Sequence, residues 1–142
     1  MRELGEILGG PGVIAREPAT PYEWVRHVEA GLPAASAVAF KDALGLTNEE
    51  LAALLGVSSR TLARWQPGKS RLDAVSGDRL LRSARLFSIA TEVLEDSDAA
   101  ARWLKSPQRA LAGAIPLQLA RTDVGARTVE VLLGRMEHGV YG

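Results

Sequence analysis

The sequence predicts an all-α fold, in which a short helical module is followed by a second small helical domain. Apolar residues recur at helical spacing through most of the chain after residue 20. Helix-start signals such as Thr-Pro, and glycines at helix ends, divide these runs into segments of helical length. Nowhere do apolar and polar residues alternate over the length of a strand, so we expect little β structure.

The composition limits the class of protein. A chain of 142 residues can bury one core shared by two small modules, and 46% hydrophobic residues with 5% aromatic ones leave Leu, Ala and Val to fill it. The absence of cysteine excludes disulfides and thiolate chemistry and fits a reducing compartment. Because no apolar run resembles a secretory signal or a membrane span, we expect a cytoplasmic protein without a membrane partner.

The first half of the chain divides at its glycines and prolines. Residues 1–20, which contain the run GGPG, are expected to form a loose arm. Thr20-Pro21 predicts the start of a helix that stops near Gly31, and a second helix is predicted from Pro33 to Leu44.

The segment 47–66, TNEELAALLGVSSRTLARWQ, has the pattern of a helix-turn-helix. Thr47 and Glu50 have the spacing of a capping box at the start of its first helix. Gly56 permits a turn that a Cβ would penalise, and Ser58 begins a second helix, which Pro67-Gly68 ends. The residues expected on the apolar underside are Leu51, Leu55, Val57, Leu62 and Trp65.

The outer face of the second helix is the candidate DNA-binding surface, because this helix enters the major groove in helix-turn-helix proteins. Although the net charge of the chain is zero, residues 58–71 carry four basic residues and no acidic one. A solvated polar face is the alternative. A module this small buries little DNA surface, so we expect a homodimer that reads two half-sites. The candidate residues are Ser58, Ser59, Arg60, Thr61, Arg64, Lys69 and Arg71.

The second half begins with the longest predicted helix, from Val75 to Glu95. Short helices are predicted from Asp98, from Ser106-Pro107 and from Ile115-Pro116, followed by a last helix with one apolar stripe. The stripe consists of Val129, Leu132, Leu133 and Met136. The predicted units are an arm (1–20), a helix-turn-helix module (21–73), a connecting or dimerisation helix (74–97) and a C-terminal domain (98–142).

The sequence offers little to support an enzyme. Gly68-Lys69-Ser70 resembles the end of a phosphate-binding loop, but Ala63 stands where that loop needs its first glycine. The two histidines, His27 and His138, lie far apart in sequence and no catalytic motif accompanies them. We therefore predict no enzymatic activity, no cofactor and no metal.

The C-terminal third carries a series of short motifs. They are Trp103-Leu104, Pro107 with Arg109-Ala110-Leu111, Pro116-Leu117, Arg121-Thr122 with Gly125, and Gly134 to Tyr141. In these motifs the chain closely resembles the toxin-binding domain of the Xre/MbcA/ParS antitoxin family. The resemblance extends over about residues 30–142 and includes the helix-turn-helix.

This resemblance implies an Xre-like type II antitoxin that holds a RES-domain, NAD-degrading toxin inactive and represses its own operon by binding operator DNA. It also implies that the C-terminal end occludes the active site of the toxin. A tyrosine and a carboxylate near the chain end could enter such a pocket. Without the resemblance, we would expect these residues to form a frayed tail. The candidate toxin-binding residues are Arg135, His138, Gly139, Val140, Tyr141 and Gly142.

The residues alone also allow a different class of function. The chain would then be a helix-turn-helix transcription regulator whose C-terminal domain senses a small ligand or only dimerises. A RES-domain reading frame in the neighbouring gene would favour the antitoxin, and its absence would favour the regulator.

Overall fold

The computed structural model describes residues 4–14, 18, 20–66 and 68–139. These residues confirm the predicted all-α fold, since they form helices and 3-10 turns and no β-strand. One isolated antiparallel bridge joins Pro33 to Arg71. The helices are α1 (Leu4–Ile7), α2 (Pro21–Ala30), α3 (Ala34–Leu44), α4 (Asn48–Leu55), α5 (Ser59–Ala63), α6 (Ala74–Leu94), α7 (Ser97–Lys105), α8 (Pro116–Leu119) and α9 (Asp123–Glu137), with 3-10 turns at Gly10–Gly12 and Arg109–Leu111.

Helix α6 lies at the centre of the molecule, and its bounds are within one residue of those predicted. Asp73 caps its start by accepting a hydrogen bond from the Ser76 backbone N–H at 2.8 Å. Helices α1, α2, α4, α7 and α9 all pack against it. Its Phe87 is fully buried and meets Phe40 of α3 edge to face, with the ring centroids 6.5 Å apart. Both halves of the chain therefore share one core.

The helix-turn-helix forms where the sequence predicts it. The capping box is complete: the Glu50 N–H donates to Thr47 Oγ1 at 3.1 Å, and the Thr47 N–H donates to Glu50 Oε1 at 2.9 Å. Gly56 has φ +74°, a left-handed conformation that favours glycine. Ser58 then caps α5 by accepting a hydrogen bond from the Thr61 N–H at 3.0 Å.

Helix α5 is slightly shorter than predicted: it ends at Ala63, whereas the sequence predicts a helix up to a linker that begins at Gln66. The Trp65 N–H bonds back to the Leu62 carbonyl, in the three-residue spacing of a tightening turn. The Gln66 N–H bonds to Ser70 Oγ, outside the helix. Because the residue before a proline disfavours the helical backbone conformation, the helix could not in any case continue through Gln66.

The expectation of a loose N-terminal arm is wrong for residues 4–14. Ile7, Leu8 and Ile14 are buried in the common core, and α1 packs against α3 and α6. Leu4 and Ile7 of α1 lie three positions apart, and Leu8, directly after the helix, lies four positions from Leu4, so the three form a short apolar face. The glycine-rich sequence that follows obscures this one-turn signal.

Helices α7 and α9 begin at side-chain caps, and the structure corrects two of the predicted helix starts. Helix α7 starts at Ser97 rather than Asp98, because Asp96 accepts the capping hydrogen bond from the Ala99 N–H. The helix predicted from Ser106-Pro107 is instead the 3-10 turn Arg109–Leu111. The apolar stripe of α9 is confirmed: Val129, Leu132 and Leu133 are buried and Met136 packs against the core.

Two arginines of α6 join it to the C-terminal helices. Arg82 Nε donates to the carbonyl of Ala120 and its Nη2 to that of Arg121, both at 3.0 Å. These bonds satisfy backbone carbonyls at the end of α8. Arg85 Nε forms an ion pair with Glu130 Oε1 of α9 at 3.1 Å. Polar contacts therefore fix the orientation of the C-terminal helices on α6 in addition to the apolar core.

Two glycines of α9 provide a matched test of this packing. A Cβ added at Gly125 would overlap the backbone carbonyl of Leu119, whereas a Cβ added at Gly134 would meet no atom within 4 Å. We expect Gly125→Ala to lower the free energy of unfolding by about 1–3 kcal/mol through steric strain. Gly134→Ala should raise it by about 0.5–1 kcal/mol, since alanine is the better helix former. Urea denaturation followed by circular dichroism measures both, and equal stabilities would contradict the close α8–α9 packing.

Candidate functional site

All seven predicted DNA-binding residues are exposed, and three of them, Ser58, Thr61 and Arg71, also form side-chain hydrogen bonds within the protein. Ser59, Arg60, Thr61 and Arg64 lie in or directly after α5 and are exposed. Lys69 is also exposed, in a turn closed by its backbone hydrogen bond to the Gln66 carbonyl. Within the part of the chain that the structure describes, Arg60, Arg64 and Lys69 form no ion pair. Their positive charges are therefore available to a polyanion.

Ser58 and Arg71 have partners within the protein. Ser58 Oγ accepts the capping bond from Thr61 and also donates to Thr61 Oγ1 at 3.0 Å. Arg71 Nη1 donates to the carbonyl of Gly31 at 2.7 Å, at the end of α2. The hydroxyl of Ser58 thus stabilises the start of α5, and the guanidinium of Arg71 stabilises the junction between α2 and the loop before α6.

Sequence reasoning missed Arg79, which lies on α6 but contacts the turn of the helix-turn-helix. Its guanidinium occupies the space where a side chain at position 56 would begin, but this end of a flexible side chain could move aside, so it is the positive φ that favours glycine there. A cation at this position also faces the C-terminal end of α4, where the helix dipole favours positive charge. No signal in the sequence links these two residues, because the contact is tertiary.

The predicted toxin-binding residues lie at the end of α9. Arg135 is exposed in the last turn of the helix, and His138 and Gly139 are exposed directly after it. Gly139 has φ +74°, which ends the helix and redirects the chain. Val140, Tyr141 and Gly142 lie outside the described residues. Since Val129 and Leu133 are fully buried, the core fixes the position from which this terminal segment leaves.

Among the described residues, no group of three or more His, Cys, Asp or Glu side chains is placed to hold a metal ion. Across the same residues, no helix combines the length and the apolar character that crossing a membrane requires.

Comparison with protein families finds two matches that follow one another along the chain. Residues 23–85 match the antitoxin Xre-like helix-turn-helix domain. Residues 90–139 match the antitoxin Xre/MbcA/ParS C-terminal toxin-binding domain. The first match contains most of α2, α3 to α5 and the start of α6, and the second contains the end of α6 and α7 to α9.

Individual relatives agree with these matches. The antitoxin Xre of Photorhabdus laumondii is 34% identical over 88 residues, which make up 61% of this chain and 60% of the relative. The mycobacterial cidal antitoxin MbcA of Mycobacterium tuberculosis is 35% identical over 98 residues, 69% of this chain and 85% of that relative. The chain thus spans about 60% of the length of the Xre relative.

A solved structure is similar as well. It is the crystal structure of the M. tuberculosis MbcT-MbcA toxin-antitoxin complex, which matches with a TM-score of 0.56 and 31% sequence identity. The match covers 77% of this chain and 96% of the chain in the complex. On the evidence of both domains and of the MbcA relative, the chain belongs to the Xre/MbcA/ParS antitoxin family.

Proposed function

We propose that this protein is the antitoxin of a type II toxin-antitoxin pair, which neutralises a toxin through its C-terminal domain and binds operator DNA through its helix-turn-helix. The observation that carries the proposal is the match of residues 90–139 to the family's toxin-binding domain. The solved relative of similar fold was crystallised as a toxin-antitoxin complex. The toxin proposed here is a RES-domain enzyme that degrades NAD, as the family resemblance of the C-terminal motifs implies.

The toxin-directed part of the proposal places the segment after α9 in the active site of the toxin. Met136 is the last residue of this helix that packs against the core, and Arg135, His138 and Gly139 are exposed around it. A pocket that binds a phosphorylated dinucleotide presents cationic groups to it, so the guanidinium of Arg135 would lie at the rim of this pocket and the segment after it inside. A segment that fills this pocket excludes the substrate, so inhibition requires no chemistry from the antitoxin.

The DNA-directed part places α5 in the major groove. Ser59, Arg60 and Arg64 are exposed on this helix and directly after it, and Lys69 is exposed in the following turn. Arginine recognises guanine through paired hydrogen bonds, and lysine contacts phosphates as a point charge. Because α5 has five residues, one copy reads few base pairs. We therefore propose that a homodimer binds two half-sites and represses the operon.

One structural feature favours the rival function of a ligand-sensing transcription regulator. A cleft of about 270 Å³ lies between α4 and the C-terminal helices. Leu54, Ile115 and Leu117 supply apolar walls. Two basic residues, Lys105 and Arg121, and two acidic ones, Glu49 and Glu50, supply charge of both signs. Such a lining suits a small amphipathic ligand. The family match favours toxin binding over this rival, and the identity of the neighbouring gene discriminates between them.

Truncation tests the proposed occlusion. Deleting His138 to Gly142 retains Met136 and so leaves the apolar stripe of α9 complete. Because the segment that excludes substrate is gone, we expect the truncated protein to lose inhibition of the neighbouring toxin in an NAD-consumption assay and to fail to rescue cells that express it. The control is the circular dichroism spectrum of the truncated protein, which should be unchanged. Full inhibition by the truncated protein would contradict the assignment.

Charge removal tests the DNA-binding surface. We expect Arg60→Ala and Arg64→Ala each to weaken binding to the upstream region of the operon by about 1–3 kcal/mol, through loss of paired base contacts. Lys69→Ala should weaken binding to all sequences alike and reduce the salt dependence by about one phosphate contact. Arg102→Ala removes an exposed arginine from α7 and serves as the matched control. Unchanged affinities in a fluorescence-anisotropy titration would place the DNA-reading surface elsewhere.

A further inference from the structure

The outer side of the C-terminal domain carries a shallow apolar groove that neither DNA binding nor active-site occlusion explains. It lies between the 3-10 turn Arg109–Leu111 and α9 and has a volume of about 410 Å³. Leu111 and Leu132 contribute to its lining, and Val124 and Val131 stand beside them. We call this feature, lined by Ala110, Leu111, Val124, Arg127, Thr128, Val131, Leu132 and Arg135, the α9 groove.

The fold of the single chain does not explain why two valines are exposed on α9. Val124 is 75% exposed and Val131 is 56% exposed, so neither gains much from burial. Valine is also a poorer helix former than alanine because its branched side chain is restricted in a helix. Single exposed apolar residues are ordinary on protein surfaces. These two, however, lie seven residues apart on one side of α9 and line the same groove.

The charge around the α9 groove is basic. Arg127 forms an ion pair with Asp123 at 3.0 Å, but both side chains are largely exposed, so the pair is weak and open to exchange. Arg135 forms no ion pair within the described part of the chain. A complementary partner would present apolar side chains flanked by carboxylates.

The α9 groove is continuous with the segment proposed to occlude the toxin. Val124, Thr128, Val131 and Arg135 follow one another at spacings of four, three and four residues, and a further step of three reaches His138. Arg135 therefore lies in both places. All eight lining residues also fall within the match to the toxin-binding domain, residues 90–139.

From this apolar, basic and continuous surface we propose that the toxin docks in the α9 groove, through an apolar patch flanked by acidic residues. The inference rests on the proposed function and assigns toxin binding and toxin inhibition to two different surfaces. The groove supplies affinity, and the segment after it supplies inhibition. A toxin bound in the groove is held where the terminal segment can reach its active site, as two linked contacts raise each other's effective concentration.

The test measures binding and inhibition separately, with the purified RES-domain protein of the neighbouring gene as the probe. The first variant, Val124→Ala/Val131→Ala, improves helix propensity and so preserves folding. The second, Val131→Glu, sets an acid between Arg127 and Arg135 at helical pairing distance, which also keeps the helix stable. Val38→Ala, which truncates a valine 45% exposed on α3, is the matched control.

We expect the dissociation constant to rise about tenfold or more for both groove variants, as for loss of an interface anchor, and to stay unchanged for the control. The truncation after Glu137 should retain most of the binding but lose inhibition.

Wild-type affinity in both groove variants would overturn the inference while leaving the proposed function intact. Failure of the unaltered protein to bind the toxin would instead refute the proposed function. Light scattering compares the oligomeric states. If the unaltered protein is a homodimer and the groove variants are monomers that bind the toxin equally well, the groove joins two copies and the inference is wrong.

Discussion

The packing of α6 against helices from both halves of the chain is the interaction on which the rest of the structure depends. Leu80, Ala84, Phe87 and Ala90 are fully buried along this one helix. They contact a continuous apolar cluster that includes α4 of the helix-turn-helix and α9 of the C-terminal domain. In a chain of this length neither half could bury as large a core alone. The proposed DNA-binding surface and the C-terminal helices consequently belong to one packed body.

Local signals in the sequence predicted the helix-turn-helix well. The capping box of Thr47 and Glu50, the turn at Gly56 and the cap at Ser58 are set by neighbouring residues, and the structure confirms all three. The apolar stripes of α6 and α9 were equally clear, because each extends over several turns. The predictions failed where a helix was only one turn long or where a hydrogen bond outside the helix changed its end. One case is α1, a single turn beside a glycine run. The other is the early end of α5, after which Ser70 Oγ accepts a hydrogen bond from the Gln66 N–H.

The sites were less predictable than the fold, because they depend on tertiary contacts. Nothing in the sequence separates Arg71 from Arg60 and Arg64, although all three are exposed and the guanidinium of Arg71 also bonds to the Gly31 carbonyl. The contact between Arg79 and the turn at Gly56 likewise joins residues distant in sequence. The α9 groove was overlooked because α9 has apolar residues on two faces, and periodicity identifies only the face that is buried.

The common core also has a thermodynamic consequence. Because one apolar cluster holds both halves together, the helix-turn-helix and the C-terminal helices belong to the same cooperative unit, and opening either would hydrate the interior of the other. Any molecule that binds only the native state at one of these regions therefore also stabilises the other by mass action, even without a change in shape. A protease that captures the unfolded chain would remove both surfaces in a single event.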